Sequence, residues 1–312
     1  MSVFTLKAVR ANDTVTAGEC LSLTLEREIY TPYETLTGLF LTDAASDFRG
    51  VVYLELEWQG QSIFTGLADR VEKFQRGGVW MLRVQSRTFT SLLTQNELEA
   101  GLHSNLTLET LVNGFYTIPH VTVEQNPTTG YIFVKEGTSL WDCVATFVYK
   151  VSRRYPFVNN NMVRMTLDAV PTVWTPDSSR IVETGQVTDT TKLVSHYHME
   201  DLQGNPDAYR EENPTATAAQ IVRHKQLPFD RQFLSDPQKA LTFRNLFSCR
   251  GNRAAYVTYA GFANEKLGDT VRCGTLLPDK TICRVRMTFG TQGLRTSLWA
   301  YEDGFYNQCQ QL

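Results

Sequence analysis

The segment SHYHMED (195–201) sets His196, His198 and Glu200 at alternate positions. On a strand such residues share a face, so two imidazoles and a carboxylate would point the same way, a donor set suited to a divalent metal. A structural or catalytic site needs three or four ligands, and no partner cluster is visible in the sequence; a polar strand face explains the three residues as well. Paired acids are the second possibility. Glu55 and Glu57 alternate with Leu54, Leu56 and Trp58 in VVYLELEW, so both carboxylates take one strand face. A glycoside-cleaving site would need an acid across a cleft from them. Glu302 and Asp303 are late candidates, but nothing in the spacing brings them opposite that strand. Outward carboxylates on an exposed barrel face explain Glu55 and Glu57 equally. Cys143 with a distant histidine could act as a thiol nucleophile. It sits beside the apolar stripe of a helix, where a packed core thiol is the commoner case. Phosphate-binding glycine loops, the nucleophile elbow and the HExxH zinc motif are absent. The expectation is a protein without catalytic residues, metal or cofactor.

The elements that would position these residues come from a chain of 312 residues, long enough for two or three cored domains. It is 42% hydrophobic and 20% charged with net charge −3, which excludes a disordered or collagen-like chain. The balance also lacks the basic footprint of a phosphate-gripping protein; RCGTLLPDKTICRVR (272–286) is the densest basic stretch. No apolar run approaches the roughly 20 residues of a membrane helix, so no membrane insertion is expected. The N-terminus lacks the pattern of a secretory signal. Six scattered cysteines, none in a C-x-x-C, read as free thiols in a reducing cytoplasm.

Residues 1–97 read as all-β. CLSLTLERE (20–28) alternates Leu21, Leu23 and Leu25 with Ser22, Thr24 and Glu26, and 51–86 holds three further strands turning at Gly60 and at Gly77-Gly78. Tight turns at this spacing favour a small barrel, which leaves no long open edge. Residues 98–168 read as a compact α+β unit. Leu108, Leu111, Val112 and Phe115 predict a helix over 104–116. TSLWDCVATFVYKVSRRY (138–155) predicts another, capped by Thr138 or Ser139, with Leu140, Trp141, Val144, Phe147, Val148 and Val151 as its stripe. Residues 169–312 return to β character. They carry an exposed excursion at 202–218, a short helix within 217–229, a longer one within 237–253, and a hairpin around Gln292-Gly293. The fold class expected is mainly β: two β-barrel-like domains flanking a small α+β insert.

In this order of elements the chain resembles the baseplate hub proteins of contractile phage tails and related injection systems, the late control protein D family. Three stretches carry the resemblance. WQGQSIFTGLADRVEKFQRGGVWMLRVQSRTFTSLL is similar to that family's hairpin, following strand and Ser-Arg-Thr step into the next domain. EGTSLWDCVATFVYKVSRRY is similar to the helix after an acidic-Gly-Ser/Thr step. YPFVNNNMVRMT is similar to the Asn-bearing turn and strand that close the middle domain. They lie within residues 50–168. The family often has Gly where this chain has Ser86 before Arg87.

The resemblance implies a homotrimer in which each chain supplies two tail-tube-like barrels. Three copies then form a pseudo-hexameric ring joining a six-fold tail tube to a three-fold spike. The implied partners are the tail tube protein, the central spike protein, other baseplate proteins, and the tape measure protein or passing DNA in the channel. The implied location is the baseplate of a virion or tail-like particle assembled in a bacterial host cytoplasm. REIYTPYETLTG (27–38) is the expected loop between subunits, with Tyr30, Pro32, Tyr33, Phe64 and Arg87 as expected contact residues. The alternatives are a tail-associated cell-wall or polysaccharide hydrolase and a monomeric carbohydrate-binding module.

Overall fold

Strands with one apolar face need a partner surface, and this chain supplies it by curling a wide sheet over its own core. The computed structural model describes residues 4–230 and 236–302. The first part comprises β1 (Phe4–Arg10), β2 (Thr14–Thr16), β3 (Cys20–Glu28), β4 (Thr35–Leu41), β5 (Val51–Trp58), β6 (Gln61–Arg76) and β7 (Val79–Thr88). All pair antiparallel, in the order β3-β4-β7-β6-β5-β1-β2. The β6–β7 turn falls on Gly77-Gly78, both with positive φ (58° and 81°), the turn whose twist suits paired antiparallel strands. Leu54 and Leu56 of β5 are fully buried with Leu6, Phe40, Phe64 and Val84, while Glu55 and Glu57 lie on the other face. Between β2 and β3 the Ala17 N–H donates to Leu6 O (2.9 Å) and the Gly18 N–H to Leu41 O (2.8 Å). These two bonds pull the β1 end round toward β4. A Cβ on Gly18 would sit 2.8 Å from Leu41 O, so only glycine fits that corner.

After β7 the chain makes a short turn at Phe89–Thr94 and enters the insert. There β8 (Gly101–Thr107) pairs with β10 (Thr128–Val134), and β9 (Thr122–Val123) joins β11 (Phe157–Asn159) and β12 (Met162–Arg164). Helix α1 (Leu140–Ser152) packs its stripe against them. The Ser139 Oγ accepts from the Asp142 N–H (3.1 Å), and Arg153 ends the helix in the left-handed region at φ 58°. Val151, expected in the stripe, is exposed instead. The helix expected over 104–116 is also corrected. Residues up to Thr107 form β8 because β10 offers them a ladder partner, and only residues 108–114 are helical. Leu108, Leu111 and Val112 are buried there, while Phe115 is exposed.

The remainder contains β13 (Val173–Trp174), β14 (Ile181–Thr188), β15 (His196–Met199), β16 (Tyr209–Glu212), α2 (Pro214–Ala218), β17 (His224–Leu227) and α3 (Pro237–Ser248). It continues through β18 (Arg253–Ala260), β19 (Thr270–Cys273), β20 (Leu277–Thr281), β21 (Arg284–Gly290) and β22 (Gly293–Tyr301). The fold is mainly β, as expected, but the two barrel-like parts are not separate closed barrels. Strand β21 pairs with β3, from Arg284↔Glu28 to Phe289↔Leu23. One open eleven-stranded sheet results, in the order β14-β18-β22-β21-β3-β4-β7-β6-β5-β1-β2. Each part completes the edge of the other, so neither has to close on itself. Phe262 and Met287 from the late part complete the first core, and Val257, Val285 and Leu298 lie in a second under β18, β21 and β22. Among the described residues no helix is long and apolar enough to cross a membrane.

Candidate assembly site

The seam between β3 and β21 is built around Arg27, which falls on the inward phase of β3 after Leu23 and Leu25. A buried guanidinium must be paired and have its donors satisfied. The Arg27 Nε donates to Glu34 Oε2 (3.0 Å), Nη2 to Ile63 O (2.8 Å), and Nη1 to Glu265 O (2.9 Å) and Asn264 Oδ1 (3.3 Å). Glu34 in turn accepts from the Asn160 N–H (2.8 Å). One side chain thus ties β3, the β5–β6 hairpin, the late loop before β19 and the insert's Asn turn. Beside it the Asn161 side chain accepts from the Phe89 N–H (2.7 Å) and donates to Thr65 O (2.8 Å). Asn160 and Asn161 hold φ of 45° and 65°, a conformation asparagine tolerates better than most residues. Glu265 is nearly fully buried next to this network, and desolvation pushes its carboxyl above the ordinary range.

The five expected contact residues lie as follows. Tyr30 stacks on Tyr301 (5.8 Å between ring centres) and meets Tyr155 and Phe247 edge-on, so it joins the insert, α3 and the late sheet within one chain. Pro32 is buried. The Phe64 ring is fully buried in the first core. Tyr33 is half-buried with the Arg87 guanidinium 5.7 Å from its ring, and Arg87 pairs with Asp69 through two bonds of 2.9 Å. A cavity of about 410 Å³ opens along the same seam, lined by Glu26, Glu28, Tyr30, Arg250, Trp299 and Tyr301 among others. Glu28 accepts from Thr31 (2.6 Å) and Tyr301 (3.0 Å), and Glu26 pairs with Arg284. Burial of the Arg250 guanidinium lowers its pKa, and its plane lies 3.7 Å from the Phe247 ring centre. The alternation of Leu21, Leu23 and Leu25 with Ser22, Thr24 and Glu26 does not reveal this seam; the readable signal is Arg27, a charged residue on the buried phase of the strand.

The chemistry-bearing candidates are dispersed. Glu57 pairs with Lys7. Five strands of the sheet separate β5, with Glu55 and Glu57, from β22, which Glu302 follows; Asp303 lies outside the described residues. The Cys143 thiol is buried in the insert and desolvation pushes its pKa up to about 12, far from nucleophilic readiness. His196 and His198 do share one face of β15, but the third imidazole beside them is His224 of β17 rather than the carboxylate of Glu200. Among the described residues no group of three or more His, Cys, Asp or Glu is arranged to hold a metal ion.

Solved structures share this arrangement along almost its full length. A tail protein from Neisseria meningitidis MC58 superposes with a TM-score of 0.72 at 16% identity, covering 98% of this chain and 99% of its own. The 43 kDa tail protein of prophage MuSo2 from Shewanella oneidensis gives 0.69 at 10% identity, over 96% of this chain and 98% of its own. The fold is that of phage tail proteins. The tail-protein fold also reaches the E. coli c3393 protein, a component of the type VI secretion system with structural similarity to the T4 bacteriophage tail proteins gp27 and gp5. There the TM-score is 0.56 at 8% identity, over 91% of this chain and 74% of the other. No family model matches the sequence, and no curated protein does.

Proposed function

We propose that the chain is a structural baseplate hub. Three copies would close into a ring of six like modules that joins a six-fold tail tube to a three-fold spike, without turnover. The observation that supports this most is the eleven-stranded sheet, in which an early and a late set of strands lie side by side across the β3–β21 seam. We read residues 1–97 and 169–312 as the two ring-building modules and 98–168 as the insert between them. A chain with two such modules and two unlike sheet ends, β14 and β1–β2, suits head-to-tail contacts that close a ring. Tyr33 and Arg87 remain the contact candidates at the surface. The likeness to tail proteins over the whole chain, and to a secretion component itself similar to gp27 and gp5, supports tube, spike and other baseplate proteins as partners. A net charge of −3 suits a channel wall past which a tape measure protein or DNA slides without sticking.

Light scattering and negative-stain imaging test the reading. The expected mass is three times 35.4 kDa, about 106 kDa, alone or on addition of the cognate spike, with a three-fold ring in projection. A monomer at high concentration that forms no ring with tube or spike protein overturns it.

A further inference from the structure

The three-stranded sheet β16-β15-β17 carries three of the chain's five histidines on one face. Its other face buries Tyr197 and Met199 against Ala240 and Leu241 of α3. Register sets Glu212 and Arg210 of β16, and His224 and Gln226 of β17, beside His196 and His198. The three imidazoles are nearly parallel. His224 stacks on His196 with ring centres 4.4 Å apart and planes 5° apart. His198 Nε2 lies 2.9 Å from His224 Nδ1, with ring centres at 5.2 Å and planes 15° apart, so these two rings meet end to end almost in one plane. Asp207 Oδ1 sits 2.6 Å from His198 Nδ1 and the same carboxylate pairs with Arg210 at 3.2 Å. His196 Nδ1 is 3.0 Å from Ser195 Oγ.

Two ring nitrogens facing each other at 2.9 Å hold one hydrogen between them. Metal–nitrogen bonds of about 2 Å each would need them further apart, so the gap fits a proton better than a metal. We propose that His196, His198 and His224 form a proton-sensitive clasp that fastens β17 to β15 near neutral pH and opens on acidification. In the closed clasp the Asp207 carboxylate, close to His198 Nδ1 but not aligned for a hydrogen bond, favours a hydrogen there by its charge alone, which leaves His198 Nε2 to accept from His224 Nδ1–H. One added proton enters at His224 Nε2 and leaves that bond intact. The next has no good place. On His198 it sets two N–H groups nose to nose; on His196 it stacks two cations face to face. The surrounding charges do not compensate. Asp207 is shared with Arg210, and Glu212 accepts from Thr217 (3.1 Å). Arg223 adjoins the cluster with its guanidinium on the Thr191 and Leu193 carbonyls, while Glu211 and Lys225 flank Tyr197 in register on the opposite face, and Glu200 follows β15. β17 is an edge strand, so it is the element free to part.

Hydrogen exchange of the whole chain at pH 7.5 and pH 5, corrected for intrinsic rates, tests the clasp. The expected result is roughly tenfold more frequent opening of 193–200 and 222–229 at pH 5, with β18 and β22 unchanged. In the double variant His196→Phe, His224→Asn, which keeps an apolar ring at 196 and an N–H donor to His198 at 224, protection at pH 7.5 is expected to persist and the acid response to vanish. Wild-type protection indifferent to pH overturns the proposal, as does the same acid response in the double variant. Strong protection of both segments by micromolar zinc at pH 7.5 also overturns it, in favour of a metal site.

Discussion

Arg27 shows how one inward charge can organise several elements. Its pairing with Glu34 and two carbonyls is buried, so removing it strands a carboxylate and two acceptors out of water. Arg27→Met is expected to cost about 3–5 kcal/mol, read from the urea midpoint at constant slope. Glu265 works in the other direction. Its carboxyl is raised, so the unfolded chain gives up the proton first as pH rises, and stability is withdrawn above the ordinary glutamate range. Glu265→Gln is therefore expected to stabilise the chain more at pH 7 than at pH 4, measured by the same midpoints. The sequence showed part of this. The alternation around Leu23 and Leu25 was legible, and Arg27 on the same phase was its visible exception. The Asn160-Asn161 turn was legible as a turn, but its link to Glu34 and Thr65 was not, because those partners lie far away along the chain. His224 is not legible as a member of the histidine cluster for the same reason: only the parallel pairing of β17 with β15 brings it beside His196.

At the scale of elements, local signals did well and pairing did not. Glycine turns and alternation marked β5, β6 and β7, and a cap with an apolar stripe marked α1. The second half of β8 falls within the helix expected over 104–116 because Leu108, Leu111 and Val112 carry helical spacing just beyond it, and nothing local announces that β10 will take up its ladder. Strand β14 lies at one end of the great sheet, and under the ring reading it is the strand proposed to meet a neighbouring copy. Val182 there is exposed, so Val182→Lys should leave the fold within about 0.5 kcal/mol of wild type. A lysine on an edge discourages strand addition. Under the ring reading, light scattering should then show monomer where wild type gives trimer.

For the molecule as a whole, the mainly β class with an α+β insert could be read from the pattern, whereas the single continuous sheet could not. Two sets of strands look alike whether each closes alone or both merge, since alternation reports a buried face and says nothing about which edge meets which. The merger makes the parts interdependent. A fragment ending at residue 168 loses β21 from the edge of β3, and loses Phe262 and Met287 from the first core. Such a fragment is expected to self-associate, with an apparent mass in light scattering that climbs with concentration, whereas the full chain should plateau.

The Arg284–Glu26 pair across that seam spans 258 positions of sequence. During synthesis, at roughly 5–20 residues per second, β3 waits on the order of tens of seconds for β21 to leave the ribosome. Over that interval a nascent strand edge stands bare among other growing chains, so closure of the seam is a late, long-range step, and crowding on a polysome is where this protein is most exposed to mispairing.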